Sequence, residues 1–261
     1  MKNQVLSTKN LAIGYSQKNA PKVLVSNISL SFNQGSLVAL IGANGIGKST
    51  LLRTLSGILK PVTGEIFYEQ KPLISFSSAE LAKKMALVLT EKLPPSNLSV
   101  YELVALGRQP YNNWLGKQTP EDLAAVEQAL QHSGAIDYAD KKYYEISDGQ
   151  LQKALIARAL AQDTPMIILD EPTTHLDLSH KVGLFKLLKK LAHEQQKCIL
   201  FSTHDIEMAL QISDEMLVMT PNSLIQDKPA NLIAGGRLQD LFSDDDISFD
   251  AEKVKFIFKG I

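Results

Sequence analysis

Leu37-Val38-Ala39-Leu40-Ile41-Gly42-Ala43-Asn44-Gly45-Ile46-Gly47-Lys48-Ser49-Thr50 decides the fold of this 261-residue chain. Its first five residues are apolar without a break, as in a strand buried on both faces. Gly42–Ser49 then fits G-x-x-x-x-G-K-[ST], and Leu51, Leu52, Leu55, Ile58 and Leu59 line one face of the helix that follows. The glycines at 42, 45 and 47 let the backbone wrap closely, so successive N–H groups and the helix N-terminus point at phosphate oxygens. Asn44 and Thr50 are assigned to the same cradle. Lys48 brings a point charge to the β- and γ-phosphates, and the Ser49 hydroxyl is a ligand for Mg²⁺. A chance match arises in about one chain per hundred of this size and composition, before the flanking strand and helix are required.

Working outward, Met166–Leu169 is a second buried strand, and it surfaces at Asp170-Glu171. Sites in parallel α/β sheets lie at the carboxyl ends of strands, so both acids are expected to face the phosphate loop. Asp170 suits the Mg²⁺ shell; Glu171 is placed to orient and deprotonate an attacking water. Alone, an acid pair after an apolar run is more often a solvated strand end. A third buried strand, Cys198–Ser202, leads to His204, which is expected to donate to a γ-phosphate. Ile146-Ser147-Asp148-Gly149-Gln150 opens a helical run, with Ser147 as its N-cap or as part of a second anion-binding helix end.

Around these landmarks, Ile28, Leu30 and Phe32 alternate as one half-buried strand, Asn33-Gln34-Gly35 reads as a hairpin-type turn, and Glu65–Tyr68 as a short strand. Strand signals are almost absent from about residue 98 to 160, where Val100–Leu106 and the Leu123, Val126, Leu130 series have helical spacing and Gly134 suits a C-cap. A further helix is expected over roughly 181–193.

The 44% apolar content is ample for a core, and 27 basic against 28 acidic residues leave a net charge of −1. Binding nucleic acid by bulk charge is therefore not expected. The one cysteine, Cys198, permits no internal disulfide, and no cysteine–histidine cluster stands ready for a structural metal. No apolar run approaches the roughly 18 residues of a membrane helix. The N-terminus lacks the apolar core of a secretion signal. A soluble cytoplasmic protein is expected.

With these motifs in this order, the chain resembles the ATP-binding subunits of ABC transporters over almost its whole length. The resemblance implies an α/β P-loop ATPase core with a flanking antiparallel β-element and an inserted helical subdomain. It implies one domain over 1–261, with the core at about 1–90 and 160–261 and the helical part at about 91–159. It also implies ATP and Mg²⁺ as ligands and an ATP-dependent head-to-tail homodimer. Ser147, Gly149 and Gln150 of one copy would then meet the nucleotide held by Lys48 of the other. Thr174-His175-Leu176-Asp177 matches the D-loop joining the two sites, and Tyr15 matches the aromatic that stacks on adenine. Leu93-Pro94-Pro95, Val100–Arg108 and the tail from Leu232 through Leu241-Phe242 look most like the ATPases of ferric-siderophore, haem and cobalamin importers. That implies permease subunits, an extracytoplasmic substrate-binding protein and a peripheral place on the cytoplasmic face of the inner membrane.

Three other classes fit less well. DNA-repair or chromosome ATPases carry long coiled-coil or zinc-bearing inserts, and a P-loop kinase or GTPase would leave Ser147–Gln150 unexplained. An inactive assembly subunit would not keep Lys48, Asp170, Glu171 and His204 together. Two departures from the family pattern stand out. Ile146 and Asp148 replace the first and third residues of Leu-Ser-Gly-Gly-Gln, and a carboxylate at 148 is expected to weaken phosphate binding unless it points outward. The Q-loop glutamine that ligates Mg²⁺ is missing near Thr90, which leaves Glu91 as its expected substitute.

Overall fold

The computed structural model describes residues 3–15, 21–89, 93–94, 96–112, 118–174, 176–221, 223–241, 247–251 and 253–258. Gln4–Tyr15 (β1) is a 12-residue strand that organises an antiparallel sheet. Lys22–Ile28 (β2) pairs with its C-terminal half and Ser31–Asn33 (β3) with its N-terminal half. Leu37–Gly42 (β4) leaves for a second sheet, and helix α1 (Lys48–Leu55) follows the glycine loop. The chain then returns to β1 as Thr63–Tyr68 (β5) and Lys71–Pro72 (β6).

Two sequence expectations change here. The alternation at 28, 30 and 32 does not belong to one strand, because the chain breaks after Ile28 and β2 and β3 cover different parts of β1. Asn33-Gln34-Gly35 does turn the chain, with Gly35 at φ +70°, but it closes no hairpin. Only Phe32 of β3 is buried, which suits a sheet edge, whereas β4 is apolar on both faces and is drawn between strands of the other sheet.

That second sheet gains its next strand after helix α2 (Ser78–Ala82), with Met85–Val88 (β7) at one edge. Helices α3 (Val100–Ala105), α4 (Pro120–Ser133) and α5 (Asp148–Ala161) precede Met166–Leu169 (β8). Among the described residues no strand interrupts that stretch, as its helical spacing predicts; one isolated bridge joins Ser99 to Lys142. Helix α6 (Leu178–His193), strand β9 (Cys198–Ser202), helix α7 (Ile206–Ile212) and strands β10 (Glu215–Met219) and β11 (Leu224–Asp227) complete the layer. The order is β11-β10-β4-β9-β8-β7, parallel except for β11. Helix α8 (Pro229–Ala234) and a hairpin of Ile247–Asp250 (β12) and Lys255–Phe258 (β13) follow.

Alternate residues of the central strands feed two cores. Leu37, Ala39 and Ile41, with Leu169 and Phe201, pack under the helices; Val38, Leu40, Ile168 and Leu200 pack against α1 and the antiparallel sheet. Strands buried on both faces must read as unbroken apolar runs, which is why β4, β8 and β9 are visible in the sequence. Truncating such a residue, as in Leu40→Ala, is expected to cost about 2–5 kcal/mol.

The helices carry their own start and stop signals. Ser99 with Glu102, Thr119 with Asp122 and Ser147 with Gln150 form capping boxes, and Gly134 ends α4 at φ +67°. The Asp177 cap starts α6 a turn before the expected residue. Among the described residues, no helix is long and apolar enough to cross a membrane.

Candidate active site

The strand order β4-β9-β8 sets three carboxyl ends side by side, and each carries one part of the site. From β4 the chain enters the glycine loop, where Gly45 and Gly47 adopt φ +73° and +116°, left-handed values that favour glycine. Gly47 also caps α1 without a side-chain bond, so the first N–H groups of that helix stay available to an anion.

Lys48 follows, only 5% exposed, with Nζ donating to the carbonyls of Gly42 and Ala43 at 3.0 and 3.2 Å. Burial pushes its ammonium below the ordinary value, opposed by the Glu171 and Asp170 carboxylates. Ser49 is half-buried in the first turn of α1.

From β8 come Asp170, 4% exposed, and Glu171, which holds φ +47°. Such a backbone costs about 1–3 kcal/mol in a non-glycine residue and persists only where its surroundings fix it. From β9 comes His204, whose Nε2 lies 2.8 Å from Glu171 Oε1 and 3.4 Å from Lys48 Nζ. One ring nitrogen cannot donate to the carboxylate and accept from the ammonium together; the shorter distance assigns its proton toward Glu171. Lys48 Nζ and Glu171 Oε1 are 4.0 Å apart.

Tyr15, at the end of β1, is brought to the same place, its hydroxyl 2.6 Å from Thr50 Oγ1. Tyr15 is 47% exposed, so it stands as a wall and not as core packing. Tyr15, Gly45, Gly47, Lys48–Thr50 and Glu171 enclose a cavity of about 200 Å³. Ser49 and Asp170 offer oxygen donors of the hard kind that would suit Mg²⁺. Thr90, Glu91 and His175 lie outside the described residues.

Ser147, Gly149, Gln150 and Asp177 do not line this cavity. Ser147 caps α5: its Oγ accepts from the Gln150 N–H while Gln150 Oε1 accepts from the Ser147 N–H. Asp148, the first residue of α5, is exposed, where a carboxylate complements the helix dipole. Gly149 packs under His180; a Cβ there would sit 2.7 Å from the imidazole Cδ2. His180 Nδ1 in turn meets Asp177 Oδ1 at 2.8 Å. Hydrogen bonds from the His180 N–H, its imidazole and Ser179 hold the Asp177 carboxyl down at about 2. Gly149, His180 and Asp177 therefore form a second cluster, next to which Leu178 is 70% exposed.

Sequence reasoning missed several supports. Ser202 bonds to both Asp170 and Glu171, and Thr173 Oγ1 donates to Asp205 Oδ2 beside His204. Lys181 of α6 also meets Asp205, at 2.7 Å. The only sequence signal for Ser202 was a hydroxyl closing an otherwise apolar strand. Tyr143 hydrogen-bonds Pro94 and Ser96, tying the segment after β7 to the approach to Ser147.

A family model described as ABC transporter matches residues 25–174. The iron(3+)-hydroxamate import ATP-binding protein of Bacillus subtilis is 37% identical over 225 residues, 86% of this chain and 82% of that protein. A solved inward-facing ABC transporter, provisionally classed as metal-chelate type, is 28% identical with a TM-score of 0.80, covering 98% of this chain and 96% of the other. A dimeric bacterial ABC transporter cassette is 27% identical at a TM-score of 0.74, covering 86% and 98%. The phosphate-loop strand, the acidic strand end and the antiparallel flank are therefore those of a known architecture, and the chain belongs to the ABC transporter family as an ATP-binding, ATP-hydrolysing subunit.

Proposed function

We propose that this ATPase powers the import of an iron–siderophore, haem or cobalamin-type metal chelate. It would work as an ATP-closed pair of copies on the cytoplasmic face of the inner membrane, beneath permease subunits served by an extracytoplasmic binding protein. ABC cassettes dimerise and work with permeases. The similarity to the hydroxamate-import ATPase over 86% of the chain is the observation that carries the choice of cargo.

In this reading the phosphates lie on the N–H groups of Gly45 and Gly47–Ser49, and adenine stacks on Tyr15, whose bond to Thr50 fixes the ring. The charge of Lys48 meets the β- and γ-phosphates. Ser49 and Asp170 hold Mg²⁺, which neutralises phosphate charge. Glu171 accepts the proton of the attacking water. His204 leaves Glu171 to donate to the γ-phosphate, where negative charge has to be stabilised. Ser147 and Gly149 of the second copy complete the site, and the helices at about 91–159 carry the closing motion to the permease.

The test is co-purification with the permease and uptake of labelled metal chelates into proteoliposomes. Glu171→Gln is expected to bind ATP normally while hydrolysis and uptake fall by about 10²–10⁴-fold. Uptake of another cargo class, or a Glu171→Gln chain that turns over normally, overturns the corresponding part of the reading.

A further inference from the structure

We propose that Ser202 is a positioning residue for hydrolysis, holding the Asp170 carboxylate and the Glu171 backbone in one fixed relation. The inference rests on the roles proposed above for those two acids.

Ser202 closes β9 and is fully buried, at 0% exposure. The parallel register sets Leu169 of β8 beside Phe201 of β9, so residue 202 arrives where β8 gives way to its acids. A hydroxyl has one proton to give, and Ser202 gives it to Asp170 Oδ1 at 2.8 Å. The Glu171 N–H donates back to the same Oγ at 2.8 Å. An ionised carboxylate only accepts and a backbone N–H only donates, so neither bond can reverse direction.

Of the other buried hydroxyls, Thr173 also donates to a carboxylate, that of Asp205, but two behave differently. Thr54 donates to the Thr50 carbonyl and Thr164 to the Met166 carbonyl, the ordinary way to satisfy such a group. Ser202 instead joins two neighbouring residues of the site. With Oδ1 engaged, Asp170 Oδ2 has no hydrogen-bond partner among the described residues and is the oxygen left for a hard cation. The N–H bond also helps hold Glu171 at φ +47°, the conformation from which its side chain reaches His204. A single hydroxyl thus keeps the Mg²⁺ ligand and the base from shifting independently.

Ser202→Ala in the full chain tests this. ATP binding without divalent cation is expected to stay within about twofold, while kcat and the affinity of the ATP complex for Mn²⁺, read by electron paramagnetic resonance, each fall about 10–100-fold. Ser202→Thr keeps the hydroxyl and is expected to restore both. A lowered thermal midpoint with kcat and Mn²⁺ affinity unchanged would show a merely structural role and overturn the proposal. A folded Ser202→Thr chain that behaves like Ser202→Ala would do the same. Should the extra methyl prevent folding, the Ser202→Ala measurements decide alone. Asp170→Asn and Glu171→Gln run in parallel: if both turn over normally, the roles of the acids fail, and if they lose turnover while Ser202→Ala keeps it, only the role of Ser202 fails.

Discussion

Lys48 carries its charge almost out of solvent, between two carbonyls and within reach of two carboxylates. Because burial sets its pKa below 10.5, the unfolded chain holds the proton more tightly than the folded one. The contribution of this group to the stability of the nucleotide-free chain therefore rises as pH climbs toward 10.5. Phosphate oxygens reverse the effect by favouring the ammonium. Nucleotide binding just below pH 10.5 is then expected to take up a proton and to weaken as pH rises. Calorimetry in two buffers of different ionisation enthalpy checks this, and Lys48→Arg is expected to abolish the slope, because arginine stays charged. Lys48, Asp170 and Glu171 were legible because their motif and strand contexts are local. Ser202 was not, because its partners lie 31 and 32 residues away and meet it only through sheet register.

At the scale of elements, α5 and α6 meet where Gly149 lies under His180. The family resemblance implies that Gly149 meets the nucleotide of a second copy; the packing adds a neighbour within the same chain. A methyl at 149 has to displace the imidazole from Asp177. Gly149→Ala and His180→Ala are therefore expected to couple by about 0.5–3 kcal/mol in a denaturation double-mutant cycle. Additive effects would mean that the ring moves aside freely. Elements differ in legibility for a physical reason. Helices α3 to α5 bring their own caps, so composition and spacing reveal them. Strand β1 does not show a period of two, because register shifts between Lys9 and Ala12 and on either side of Ile13 break the alternation. The β12–β13 hairpin is held by the edge-to-face contact of Phe249 with Phe256, at 5.0 Å, which no motif announces.

For the whole molecule, one sheet order gathers the phosphate loop, Asp170, Glu171 and His204, while Ser147 and Asp177 do not line the cavity that these form. The family resemblance implies a site shared between copies; the residues themselves place Ser147 as a helix cap or as part of a second anion-binding helix end. Ser147 does not line the cavity of its own chain, and its proposed action on the nucleotide is from a partner copy. The direct measurement is photo-crosslinking in a mixed pair. One copy carries Lys48→Ala and a photoreactive residue in place of Ser147, and its tagged partner carries Glu171→Gln with Lys48 intact. Radiolabelled ATP is then held only by the partner. A site completed in trans predicts that light transfers the label to the Lys48→Ala copy, and only when the partner is present. Absence of that label, with labelling seen only when Lys48 and the photoreactive residue share one chain, would contradict it.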